Sequence, residues 1–181
     1  MTSVRDCVRC QATTARGTRC SRTTCIYPKY CFQHFRAKKG LRLAPSNIPG
    51  AGLGLFTTRA FQPNRKIAPY SGTLFDNDDW EENKSDYGVK FSEDQVLDGR
   101  STQDGIARYA NQCQAPDRRA RFCRGNNSQL RKTLQNNIIL ESRGSRIPAG
   151  REIFVNYGDR YWDRADGKKV HGVKRSNSVE Y

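Results

Sequence analysis

Acidic residues are scarce in this chain. Only 18 Asp+Glu stand against 32 Lys+Arg, for a net charge of +14 and a pI near 9.8. That deficit points away from cationic partners for the molecule as a whole and toward polyanions, nucleic acid before membrane surface. Apolar residues are also few, at 35%, with a mean hydropathy of −0.86, which limits the core to a modest one. No apolar run approaches the roughly 18 residues of a membrane span, so a bilayer is excluded as a partner through helices. The N-terminus lacks the apolar stretch of a secretion signal, and the expectation is a soluble intracellular protein. No internal repeat appears, which excludes a repeat array. At 181 residues the chain allows one ordinary domain and a small appendage.

The charge that is present falls in blocks. Residues 1–44 carry ten Lys/Arg and a single acid, Asp6. Residues 76–94 reverse the sign, with eight acids and two lysines, and residues 115–132 return to basic with six Lys/Arg against Asp117. One such run is an ordinary solvated face; three alternating blocks suggest different partners for different surfaces.

Seven cysteines, an odd number, divide into five before residue 32 and two later, Cys113 and Cys123. That clustering, in a chain without a secretion signal, argues against a disulfide framework and for metal. Cys10, Cys20, Cys31 and His34 supply three sulfurs and an imidazole, with Cys31-x2-His34 able to clamp an ion from one turn. Zinc suits this mixture, and a four-ligand shell leaves no water position, so the site is read as structural. Residues 1–36 hold too few apolar side chains to fold without that ion. Cys7 and Cys25 are spare, Cys7-x2-Cys10 offers an alternative pair, and free cysteines in a disordered basic tail are the competing reading. The segment resembles the short Cys/His modules of giant DNA virus proteins, with Cys10, Cys20, Cys31 and His34 at the matching positions. The resemblance implies a zinc-stabilised interaction module, with the flanking Arg/Lys suited to DNA or nucleosome.

From residue 37 the pattern is β-rich. Leu41–Leu43, Leu55–Thr58, Lys66–Tyr70, Gly88–Phe91, Gln95–Leu97 and Asn136–Glu141 read as brief strands with turn residues between them. Asp76–Glu82 reads as a loop or one helical turn, and Gly105–Asn111 is the one compact helix-like piece. The glycine loop Gly50-Ala-Gly52-Leu-Gly54 leads into a strand, with no room for a helix, so a dinucleotide fingerprint is ruled out. A loop without Cβ atoms still lets a ligand lie against bare backbone. Near the end, Glu152-Ile-Phe-Val-Asn-Tyr157-Gly158 reads as a strand delivering a tyrosine to a bend.

Four blocks in one order carry a resemblance: Gly52-Leu53-Gly54, Tyr70-Ser-Gly72, Arg108-Tyr109-Ala-Asn111 and Glu152-x4-Tyr157-Gly158. Together they resemble a SET-domain lysine methyltransferase over roughly residues 41–162, and the ending Tyr157-Gly-Asp-Arg-Tyr-Trp162 is similar to the compact viral members. The resemblance implies a mainly β fold with small sheets and a pseudoknot through which residues 108–113 thread. Residues 37–162 would form this domain, 1–36 the zinc module and 163–181 a basic polar tail.

By the same resemblance the cofactor is S-adenosylmethionine. It is held by Gly52, Leu53, Gly54, Tyr70, Asn111 and Gln112, with Arg108 supporting the pocket and Trp162 packing near the adenine. Tyr157 is the active-site phenol, and Tyr87 and Tyr109 are candidates for the substrate channel.

The chemistry agrees with these residue types. Methyl transfer from a sulfonium to an amine needs in-line placement rather than a metal or covalent nucleophile. The amine must be neutral, which for a free lysine of pKa about 10.4 costs roughly 4–5 kcal/mol at pH 7. A dry channel beside the positive sulfonium offsets much of that.

The chain also departs from the family pattern. Asn111-Gln112-Cys113-Gln114 stands where Asn-His-Ser-Cys is usual, and no Cys-x-Cys-x4-Cys follows Tyr157. Trp162 with the tail, or a second subunit in a homodimer, must then close the cofactor side. Cys113 and Cys123 are read as buried or idle thiols, and the basic insertion 114–135 has no assignment. A histone tail is the favoured substrate, since residues 76–94 suit a cationic peptide. The location expected is the nucleus, viral factory or virion. The alternatives are methylation of a non-histone protein, or a catalytically silent, zinc-stabilised nucleic-acid binder.

Overall fold

The computed structural model describes residues 7–82, 85–100, 105–113 and 125–157. Ten short strands and two short helices make four small sheets, the mainly β arrangement that the turn-rich sequence anticipates.

The N-terminal module begins with β1 (Val8–Arg9) paired antiparallel to β2 (Thr23–Thr24). Two arginines lock its loops reciprocally. Arg9 Nε donates to the Cys20 carbonyl and Arg19 Nε to the Cys10 carbonyl, each at 3.0 Å. Helix α1 (Phe32–Lys39) follows and ends at Gly40 in a left-handed turn. It therefore runs through the 36/37 boundary expected between module and main domain. Phe35 on this helix is buried in the main core with Leu41, Leu55 and Ile153. Tyr27 stacks on Phe35 with ring centroids 5.0 Å apart, and its hydroxyl accepts the Leu43 N–H at 2.9 Å. Module and main domain thus share one core.

The main domain opens with β3 (Leu41–Pro45) and β4 (Leu53–Thr57), an antiparallel pair joined by the glycine loop. Strand β5 (Lys66–Tyr70) pairs with β10 (Ile138–Ser142), and β10 with β9 (Ser128–Lys132). A third sheet has the order β6 (Thr73–Asp76), β8 (Gln95–Asp98), β7 (Gly88–Lys90), with helix α2 (Asn77–Glu82) after β6. Gly72 before β6 is required by close approach. A Cβ there would overlap the Asp98 carbonyl on β8.

Two sequence expectations are corrected, and part of one unassigned segment is placed. The helix-like Gly105–Asn111 is only one 3-10 turn, Ala107–Tyr109, because Gly105 and the extended Ala110 leave no second turn. The terminal strand is not a ladder: Glu152 bridges Phe56, Phe154 bridges Asn111 in parallel, and Val155 bridges Ser128 in parallel. It crosses the 105–113 segment there, the region of the expected pseudoknot. Part of the unassigned insertion, 128–132, is strand β9, held by its ladder to the buried β10 rather than by its own polar sequence.

The cysteines also correct an expectation. Cys7 and Cys25 are joined in a disulfide across β1 and β2, which removes both from the candidate ligand set. Cys113 is buried, as one of the two expectations had it, but it is disulfide-bonded and not a free thiol.

Candidate active site

The glycine loop is fixed from below by one buried carboxylate. Glu152, 4% exposed, accepts from Ser46 Oγ at 2.6 Å, from the Asn47 N–H at 2.8 Å and from Asn111 Nδ2 at 3.4 Å. Among the described residues it has no cationic partner, and a buried carboxylate then needs such a set of donors. The loop closes on itself through the Ser46 N–H and the Gly52 carbonyl, 2.8 Å apart. Gly54 has no room for a side chain, because a Cβ would overlap the Glu152 carboxylate. Asn111 Nδ2 also donates to the Leu53 carbonyl at 3.1 Å, tying the 105–113 segment to the loop.

Tyr157 comes to the same place from the other side. Its hydroxyl donates to the Ala110 carbonyl at 2.9 Å, and its N–H donates to Gln112 Oε1 at 2.8 Å. The phenol therefore sits one residue from the asparagine that grips the glycine loop. Gln112, expected to serve a cofactor, here also holds the backbone of Tyr157.

A second cluster surrounds Arg108. Its guanidinium lies 4.0 Å over the ring of Tyr87 and 5.1 Å from that of Tyr109. It donates to the carbonyls of Gly99, at 3.0 Å, and Arg100. Tyr70, at the end of β5, donates its hydroxyl to the Tyr87 carbonyl at 2.7 Å. Residues far apart in sequence, Tyr70, Tyr87, Arg108, Tyr109 and Tyr157, thus line up along one short segment. Gly158 and Trp162 lie outside the described residues.

The four blocks now coincide with one geometry. A family model described as SET domain matches residues 52–158. The chain belongs to the SET-domain family. Members of that family are protein lysine methyltransferases that use S-adenosylmethionine.

Among solved structures, a chain of a humanized mutant of the Chaetomium thermophilum Polycomb Repressive Complex 2, bound to the inhibitor GSK126, is similar with a TM-score of 0.51. The identity is 23%, over 67% of this chain and 15% of that one, so the likeness is one of fold and this chain spans a small part of the other's length. No curated protein matches.

Two features of the SET domain fit a cofactor along the glycine loop. Among the described residues no atom lies within 4 Å of where a side chain on Gly52 would point, so that side of the loop is open space a ligand could enter. Arg108 Nε is buried without a hydrogen-bond partner among the described residues. Gly52, Leu53 and Asn111 would hold the cofactor at one end and Arg108 with Tyr70 would support the other.

The metal ligands expected from sequence also converge. The ligand atoms of Cys10, Cys20, Cys31 and His34 all lie within 4.8 Å of one another, with the three cysteines buried. His34 Nδ1 is 3.5 Å from Cys10 Sγ and 3.4 Å from Cys31 Sγ. A tetrahedral zinc with arms of about 2.0 Å to nitrogen and 2.3 Å to sulfur requires N···S edges of about 3.5 Å, so the donor set fits.

Burial alone would raise the Cys10 thiol. The N–H groups of Cys31 and Ala12 and the His34 ring outweigh it, and the pKa falls to about 6. That favours the thiolate a metal needs.

Sequence reasoning missed Glu152 as the loop's anchor. Its signal was a lone carboxylate heading an apolar run, Glu152-Ile-Phe-Val155, where burial obliges a charge to find donors.

Proposed function

We propose that the chain is an S-adenosylmethionine-dependent protein lysine N-methyltransferase acting on a basic tail such as that of a histone, with zinc in its N-terminal module. The observation that carries this reading is the Tyr157 hydroxyl at 2.9 Å from the Ala110 carbonyl, beside the Asn111 that bonds the glycine loop. When bound, the cofactor supplies an electrophilic methyl on a sulfonium. The chain's own residues do the rest.

Tyr157 and the Ala110 carbonyl form a polar rim at which a lysine amine can be oriented. Tyr87 and Tyr109, both half-buried, wall the approach on either side of the Arg108 guanidinium; a lysine drawn between such rings loses water, which lowers the amine's pKa. The acidic residues 76–94 around α2 and β7–β8 suit a cationic peptide. The ending around Tyr157 supports a compact viral type, and chromatin in a nucleus or viral factory is where such a substrate would be met. Closure of the cofactor side by a second copy of the chain remains part of the proposal.

The test is incubation of the full chain with labelled cofactor and either core histones or nucleosomes, read by mass spectrometry. Label on histone lysine is expected, with site and methylation degree from the same spectrum. Tyr157→Phe, which removes the hydroxyl but keeps the ring, should lower the rate about 10²-fold or more, the usual worth of one oriented polar group at a reacting centre. Calorimetry that detects no cofactor binding would sink the enzyme reading and leave the silent binder.

A further inference from the structure

A cleft of about 770 Å³ lies between the β10–Ile147 turn and the loop before β9, and none of the residues expected to hold cofactor or lysine lines it apart from the anchor Glu152. Arg143, Arg146 and Arg151 rim it, all three exposed, and none has an acidic partner among the described residues. Among the described residues the single acid in its wall, Glu152, is already committed to Ser46, Asn47 and Asn111.

The backbone adds donors. Among the described residues, the N–H groups of Gly144, Ser145 and Arg146 make no hydrogen bond within the chain, whereas that of Arg143 donates to Asn127 O and that of Ile147 to Phe61 O. Three unpaired guanidinium groups and three consecutive free N–H groups around one hollow are donors without acceptors.

The ligand that fits is a run of phosphates. Among the described residues the one aromatic side chain of the wall, Phe154, is 3% exposed and offers no face for a base to stack on. Single-stranded nucleic acid depends on such stacking, whereas a duplex can be held by its backbone alone. We propose that this cleft binds the phosphodiester backbone of double-stranded DNA, as a surface of the SET domain separate from the basic N-terminal module. The net charge of +14 agrees with such a partner.

The assignment does not depend on methyltransfer and is tested without it. Anisotropy of a short labelled duplex is measured with the full, zinc-loaded chain across roughly 50–200 mM salt. Each phosphate contact contributes about 0.9 to the slope of log K against log salt. Replacing the three arginines together by glutamine should therefore lower that slope by about 2–3 and weaken binding at least tenfold at low salt. The matching Arg→Lys triple keeps the charge and should retain most of the slope.

Unchanged slope and affinity in the glutamine variant would overturn the proposal and place all DNA contact elsewhere. Equal losses in the lysine and glutamine variants would overturn it too, since charge would not be the cause. A phosphoserine peptide that displaces the duplex from the wild type, and fails to bind the glutamine variant while the duplex still binds it, would reassign the cleft to phosphorylated protein.

Discussion

At the scale of single residues, the site depends on one carboxylate and one missing side chain. Glu152 is buried at the head of the terminal extended segment and holds Ser46, Asn47 and Asn111 at once. Gly54 leaves it space. Gly54→Ala would press a methyl into the carboxylate, so Glu152 must shift and release at least one of its donors. A loss of about 1–3 kcal/mol is expected from the unsatisfied buried group. Cofactor affinity should fall with it, and denaturant unfolding beside calorimetry would check both; an unchanged midpoint would show that Glu152 moves freely. A second residue-scale effect concerns pH. The Arg131 guanidinium, bonded to both oxygens of Glu141 at 2.9 Å, holds that carboxyl below its ordinary range, helped by Gln129. A depressed folded pKa means stability that is present above the ordinary carboxylate value, about 4.3, and is lost as pH falls through that value toward the folded one. Arg131→Gln should therefore be less stable than the wild type at neutral pH, and the gap should shrink below about pH 4. A gap that stays constant with pH would mean that the pair contributes packing alone.

At the scale of elements, what was legible in the sequence was whatever a local rule determines. Lys66–Tyr70 ends at Ser-Gly and β-branched Ile138–Ile139 follows Asn-Asn, and both are strands, β5 and β10. Val89 and Leu97 flank a turn and face each other across β7 and β8. The clustering of Cys10, Cys20, Cys31 and His34 in the N-terminal module was legible because metal chemistry ties residue type to spacing. By contrast, Ser128–Lys132 contains one apolar residue, Leu130, and is a strand only because β10 supplies its ladder. Gly105–Asn111 suggested a helix, yet its Ala110 and Asn111 are stretched out to meet Tyr157 and the glycine loop. Tertiary demand overrode propensity at both places. The Cys7–Cys25 disulfide was hidden for another reason: two strands of two residues each bring together cysteines that sequence spacing alone cannot pair. The junction of module and main domain is an element-scale feature with a test of its own. Tyr27→Phe removes the acceptor of the Leu43 N–H while keeping the ring that stacks on Phe35. A drop of about 1–2 kcal/mol is expected. If thermal melting does not change, solvent satisfies Leu43 and the junction is held by the rings alone.

At the scale of the whole molecule, the Cys/His cluster, helix α1 and the main core follow one another directly, which makes the module a structural part of the SET-domain fold. Helix α1 carries His34, a member of the Cys/His cluster that could hold the proposed zinc, and directly after it Phe35, a core residue; the helix then turns at Gly40 into β3. Strand β3 pairs with β4, whose first residues are the glycine loop. The free energy of structural zinc in small Cys/His modules, about 10–16 kcal/mol at neutral pH, is comparable to or larger than the whole stability of an ordinary domain, about 5–15 kcal/mol. Stripping the ion should therefore loosen more than residues 7–40. With Phe35 and Tyr27 withdrawn, one wall of the core around Leu41 and Leu55 is exposed, and the loop that follows β3 loses its support. Chelation is expected to lower the melting temperature of the full chain in a single transition and to weaken S-adenosylmethionine binding, both restored by added zinc. Cys20→Ser should do the same without chelator. Two separate transitions, with cofactor binding unaffected by chelation, would instead mean that module and SET domain fold independently and that the shared aromatic contacts carry little energy.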